Sequence, residues 1–73
     1  MTLMDVVCAD RPGLLSQIST ALVNCGIRIH DARIVTMGDR VEDAFIISDQ
    51  NNAPLNRKMR TELKQTLMKT LEL

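Results

Sequence analysis

The apolar run Leu3 to Cys8 stops at Ala9-Asp10-Arg11-Pro12-Gly13, and apolar residues resume at Leu14 with a new spacing. An alternating pattern gives way to a helical one within a single short turn, so a strand must pass directly into a helix. Pro12 has φ preset near helical values and no N–H, which suits the first turn of a helix. Gly13 keeps that turn bare, so another molecule can approach the backbone closely. Asp10 can cap the free amides. A strand that turns into an uncovered helix N-terminus makes a small niche with amides pointing outward. An ordinary capped strand-to-helix turn leaves the same trace, and the rest of the chain must decide between the two.

The first strand, Leu3 to Cys8, carries apolar side chains on both faces: Leu3 and Val7 on one, Met4, Val6 and Cys8 on the other. Such strands are usually central and covered, although Asp5 breaks the pattern. The helix from about Pro12 to Cys25 places Leu14, Leu15, Ile18, Ala21, Leu22 and Cys25 inward. Ser16, Gln17, Ser19, Thr20, Val23 and Asn24 face outward, and Gly26 is the expected left-handed cap. Ile27 to Met37 is strand-like, but its apolar parity slips around His30-Asp31, which predicts a bulge. Met37-Gly38-Asp39-Arg40 is a hairpin turn, and Val41 to Asp49 is the third strand. Val41, Phe45 and Ile47 share one face of it, Ala44 and Ile46 the other. Asp49 to Pro54 is loop by composition.

Leu55, Met59, Leu63, Leu67 and Leu71 then mark a second amphipathic helix. Leu71-Glu72-Leu73 continues its stripe. Arg57, Lys58 and Arg60 oppose the helix dipole in its first turn, either as tolerated surface charge or because something acidic lies nearby. The order is β-α-β-β-α in a single domain, residues 1–73. A ferredoxin-like layer closes with a fourth strand after the second helix. Here that strand is short or missing, which would leave the first strand at an open edge.

Composition narrows the function. The chain has 73 residues, 9 basic and 9 acidic side chains, a formal net charge of zero and one aromatic residue, Phe45. Balanced charge and a lone aromatic speak against a nucleic-acid footprint or an anionic membrane surface. No apolar run approaches the roughly 18 residues of a membrane helix, and no leader pattern precedes the first strand. Cys8 and Cys25 lie at opposite ends of a helix roughly 20 Å long, too far apart for a disulfide. Two free thiols in a reducing cytoplasm are expected. No cysteine pair or histidine cluster has metal-ligand spacing, and His30 reads as structural or pocket-lining.

Asp10-Arg11-Pro12-Gly13-Leu14-Leu15, a helix ending at Cys25-Gly26, and the strand from Ile27 to Met37 together resemble an ACT domain. These are small regulatory βαββαβ modules, an α+β fold with an antiparallel sheet and two helices on one face. The segment Ile29 to Asp49 is similar to the C-terminal ACT repeat of bifunctional uridylyltransferase/uridylyl-removing enzymes. Gly38 and Arg40, followed by Glu42-Asp43 and Phe45, carry that closer likeness, which runs from Leu3 to about Leu67.

The resemblance implies a glutamine sensor that reports nitrogen status to nucleotidyltransferase and HD hydrolase domains acting on the PII signal protein. The chain would then be a domain excised from the C-terminus of that larger enzyme. It would carry no catalytic residue, no metal site and no cofactor of its own, the magnesium belonging to the parent. Carried over by position, the ligand niche takes Asp10, Arg11, Gly13 and Leu14 from the first turn. Ile29, His30 and Asp31 of the second strand form its other wall. Amides of Gly13 and Leu14 would hold an α-carboxylate, and Asp10 or Asp31 an α-ammonium. The partners implied are an amino acid and a neighbouring ACT domain or a second copy. Alternatives are an acylphosphatase-like enzyme using Arg11, or a purely structural copy that mediates interdomain contact.

Overall fold

A computed structural model describes residues 1–72, so Leu73, read as continuing the second helix's stripe, lies outside the described residues. The elements are β1 (Thr2–Ala9), α1 (Leu14–Asn24), β2 (Arg28–Met37), β3 (Arg40–Ser48) and α2 (Arg57–Leu71). The sheet is antiparallel in the order β1-β3-β2, so β3 is central and β1 and β2 are both edges. Among the described residues no fourth strand follows α2. The expected β-α-β-β-α order and the open edge at β1 are both observed.

One face of the sheet holds the core. Val6 and Cys8 of β1 and Val41, Phe45 and Ile47 of β3 are buried there. Leu14, Ile18, Ala21 and Leu22 of α1 and Leu63, Leu67 and Leu71 of α2 cover them. Each buried aliphatic side chain contributes about 1.5–3 kcal/mol relative to exposure, so this layer dominates the domain's stability. The other face is bare. Leu3 is 63% exposed and Val7 48%, which corrects the expectation that β1 is covered on both sides. Both helices lie on one face, so only the Met4-Val6-Cys8 side of β1 meets the core. Leu15, expected inward, is also exposed, because α1's buried stripe runs Leu14, Ile18, Ala21 and Leu22.

The local signals explain the boundaries. α1 ends in a Schellman motif: Ile27 N–H donates to Leu22 O at 3.0 Å and Gly26 N–H to Val23 O at 3.0 Å. Gly26 takes the φ of 73° that this motif asks for. The predicted bulge is present, as the β2–β3 register shifts between Ile29 and Asp31. α2 starts at Arg57, later than its apolar stripe, because the Asn56 side chain caps it by accepting from Met59 N–H at 2.8 Å. Leu55 stays buried ahead of the helix, and its N–H donates to Thr2 Oγ1 at 3.0 Å, which ties the start of α2 to the start of β1. Cys8 and Cys25 are free thiols, and Cys25 Sγ donates to Thr66 Oγ1 at 3.6 Å between the helices.

Candidate functional site

The β1–α1 connection is a turn followed by a helix, and the difference determines which amides are free. Leu14 N–H donates to Arg11 O at 3.3 Å, and Gly13 has φ 76° and ψ 7°. These are the dihedrals of the third position of a type II turn, with Pro12 at the second. A positive φ there is not helical, so α1 begins at Leu14 rather than Pro12. No side chain caps the helix, contrary to the role expected of Asp10. Asp10 is held instead through its backbone, with its N–H donating to Asp39 O at 3.0 Å. The helical ladder opens with Gln17 N–H to Gly13 O at 3.0 Å. Leu15 and Ser16 N–H therefore donate to no backbone carbonyl among the described residues. Leu14 N–H, expected to be free, is committed to the turn.

These amides border a niche of about 240 Å³ lined by Asp10, Arg11, Gly13, Leu14, Leu15, Ser16, Ile34, Val41 and Asp43. A Cβ built at Gly13 would meet nothing within 4 Å, so the space above the turn is open. Arg11 borders the niche, but its guanidinium is engaged elsewhere. Nη2 donates to Gln17 Oε1 at 2.8 Å and Nη1 to Leu71 O at 3.4 Å. The second bond places a cation on the C-terminal carbonyls of α2, where it complements the helix dipole.

Asp43 is the residue that the sequence reading missed as a site candidate. It lies on the core face of β3, opposite Val6 and Ile34, and is 2% exposed. No side-chain hydrogen bond or ion pair engages its carboxylate among the described residues. Its pKa is raised, first by burial and then by the negative charge of Asp10. The signal was present in the parity of the strand. Val41, Phe45 and Ile47 point inward, and Asp43 falls in the same series, a carboxylate where an aliphatic residue is the norm.

The β2 residues expected as the opposite wall sit elsewhere, and Ile34 takes that place. His30 occupies the bulge. Its Nε2 lies 2.6 Å from Ser48 Oγ, and that hydroxyl gives its one hydrogen to Asp49 O at 2.9 Å. Ile29 pairs with Ile47 near the end of the strand. Asp31 follows the bulge onto the bare face, where Oδ1 accepts from Ala32 N–H at 2.9 Å and Oδ2 lies 3.8 Å from Arg33 Nε. The structure thus brings Asp10, Arg11, Gly13 and Leu14 together, and separates Ile29, His30 and Asp31 from them.

A larger groove of about 380 Å³ lies between the free edge of β1 and α2, over Leu55, Leu63, Leu67 and Met68. Its lining is mostly apolar, with few groups that could orient a small polar ligand. Among the described residues no three His, Cys, Asp or Glu side chains converge on a metal position, and no helix is long and apolar enough to cross a membrane.

The buried carboxylate makes stability depend on pH in a defined direction. Asp43 binds its proton more tightly folded than unfolded, so the folded state carries more protons between the ordinary value of 3.8 and the raised one. Stability therefore falls as pH rises through that window and stays lower above it. Asp43→Asn is expected to remove this slope and raise the melting temperature at pH 7. Urea midpoints of both proteins at pH 4 and 7 test it. A variant less stable than the parent at pH 7 would show that the carboxylate has a favourable partner.

The ACT domain family model matches residues 2–67. Over 73 residues the chain is 41% identical to the bifunctional uridylyltransferase/uridylyl-removing enzyme of Hydrogenovibrio crunogenus, covering 99% of the chain. The corresponding enzyme of Legionella pneumophila (strain Corby) is 45% identical over 67 residues, or 92% of the chain. That of Vibrio campbellii is 39% identical over 70 residues, or 96%. In each case the chain spans about 8% of the relative's length. A crystal structure assigned as a glycine cleavage system transcriptional repressor superposes with a TM-score of 0.71 at 23% identity, over 96% of this chain and 37% of that one. At that identity the likeness speaks for the fold alone.

Proposed function

The chain belongs to the ACT domain family, and on that premise we propose that it is an amino-acid-sensing regulatory domain whose ligand is glutamine. Its relatives are bifunctional uridylyltransferase/uridylyl-removing enzymes; the parent in this reading is of that type and acts on PII in nitrogen regulation. Catalysis and its magnesium would belong to other domains of that parent. The observation that carries the reading is the open niche with the unpaired amides of Leu15 and Ser16 on its rim. Free amides at the N-terminus of an 11-residue helix suit an α-carboxylate. Asp10 offers a carboxylate to the α-ammonium, whereas Asp31 lies on the bare face of the sheet. Occupancy would bias the parent between its two activities by favouring one arrangement of the domain against its neighbours.

Thermal unfolding with glutamine tests this. At ~100 times its dissociation constant a ligand adds about 2.7 kcal/mol, which is several degrees for a domain of this size. Glutamine should raise the melting temperature more than asparagine or glutamate does, in this chain or in the parent enzyme. Absence of a glutamine shift in both would overturn the reading.

The neighbour in this reading is a second ACT domain or a second copy of the chain. Leu3 and Val7 of β1 and Val35 and Met37 of β2 are exposed on the bare face, beside two unpaired strand edges. Such surfaces favour association. Sedimentation over a concentration series is expected to show dimers, and a compact monomer at high concentration would contradict it.

A further inference from the structure

We propose that Asp43 is the residue through which the niche selects a ligand bearing a primary ammonium over the same skeleton without it. The inference rests on the niche being the amino-acid site and assigns a specificity-determining group within it.

Two carboxylates, Asp10 and Asp43, border the niche, and the cation beside them is turned away. Arg11 donates to Gln17 and to Leu71 O, so it does not neutralise either carboxylate. Asp43 is 2% exposed, yet its carboxylate is engaged by no hydrogen bond or ion pair among the described residues. Buried carboxylates are ordinarily paired. Among the described residues no fully enclosed side-chain oxygen lacks a partner, so the partnerless oxygens of Asp43 keep access to the open niche, where a donor can reach them. A primary ammonium supplies three donors and a positive charge at once. An alcohol or a 2-oxo group on the same carbon supplies far less or would meet a repelling lone pair.

The electrostatic surroundings agree. Facing Asp43 are Val6 from β1, Ile34 from β2 and the turn with Asp10 and Arg11, and α1 contains no ionisable side chain. Asp10 is therefore the main uncompensated charge nearby, and its sign disfavours ionisation of Asp43. A bound ammonium would reverse that balance. Binding would release a proton from Asp43 at pH values where the free carboxyl is partly protonated. The two walls then form a sorting device: free amides take the carboxylate of the ligand, and Asp43 with Asp10 takes its amine.

The test uses the whole 73-residue chain and three probes: glutamine, its des-amino analogue 4-carbamoylbutanoate, and methylammonium chloride. Titration calorimetry should show glutamine bound on the order of tenfold or more tightly than the analogue. Asp43→Asn should bring the two within about twofold, and Asp43→Glu should restore part of the preference. Independently, ¹³C spectra of the unmutated chain should show methylammonium lowering the titration midpoint of the Asp43 carboxyl. If Asp43→Asn keeps the full preference while a bulky residue at Gly13 abolishes glutamine binding, the role of Asp43 is wrong and the amino-acid reading stands. If glutamine does not bind but methylammonium still lowers the midpoint, ammonium selection stands and the amino-acid reading falls. If methylammonium leaves the midpoint unmoved and the variant binds like the parent, the proposal is overturned.

Discussion

Phe45→Ala is expected to leave this domain without a cooperative folded state at 25 °C. Phe45 is the one aromatic residue of the chain, fully buried at the centre of β3. It pairs with Met4 on one side and Ala32 on the other, and shares the core with the fully buried Ile18 and Leu22 of α1. Truncating such a side chain costs about 3–5 kcal/mol, the lost transfer energy plus the cavity left behind. A core of this size supplies roughly that much net stability in total. No second aromatic stands ready to fill the void, and the neighbouring residues are anchored in the sheet or in α1. Phe45→Leu keeps most of the volume and should stay folded with a lower midpoint. Urea unfolding followed by circular dichroism separates these outcomes. A sharp transition for Phe45→Ala within about 1 kcal/mol of the parent would mean that α1 collapses onto the sheet and that this layer is more deformable than described.

The framework was legible because its signals are local. The four-residue stripe of α2, the Gly26 cap and the hairpin at Gly38-Asp39 each depend on a few neighbouring residues, and each appears where the pattern puts it, except that α2 begins after Leu55, at the Asn56 cap. The bulge at His30 was legible for a similar reason, since a parity slip in side-chain pattern has few other causes. The errors lie where local rules compete or long-range placement decides. Pro12 and Gly13 fit either the start of a helix or a type II turn, and the positive φ of Gly13 resolves it toward the turn. β1 looked central because both of its faces are apolar. Which face meets a helix depends on where α1 and α2 pack, and both pack on the same side.

The site was legible in part for the same reasons. Its turn is contiguous in sequence, so Asp10, Arg11, Gly13 and Leu14 meet in space as a consequence of chain connectivity. Its other wall depends on register. β2 runs antiparallel to β3 with an offset at the bulge, and this brings Ile34, not Ile29 to Asp31, to the level of the turn. Asp43 follows from that register too, because it sits opposite Ile34 on one side and Val6 on the other. A carboxylate at an inward position was visible in the sequence, but what lies over it depends on the whole sheet.

Gly13→Leu is expected to abolish the response to glutamine while leaving the fold cooperative. A side chain at Gly13 must adopt the φ of 76° that the turn imposes, at a cost of about 1–2 kcal/mol. A Cβ there contacts nothing within 4 Å, so the loss comes from backbone strain and not from collision with the core. The rest of the leucine would occupy the open side of the niche, where a ligand backbone must approach the amides of Leu15 and Ser16. The melting temperature should fall by several degrees, since about 1 kcal/mol shifts a domain of this size by roughly 4–8 °C. Lower stability alone does not remove a ligand shift, and Gly13→Ala provides the control. It carries the same backbone strain but adds one methyl group, so it should melt at a similar temperature and keep much of the glutamine response. Equal loss of response in both variants would assign the effect to the turn's conformation. A Gly13→Leu protein that shifts with glutamine as the parent does would place the ligand outside this niche.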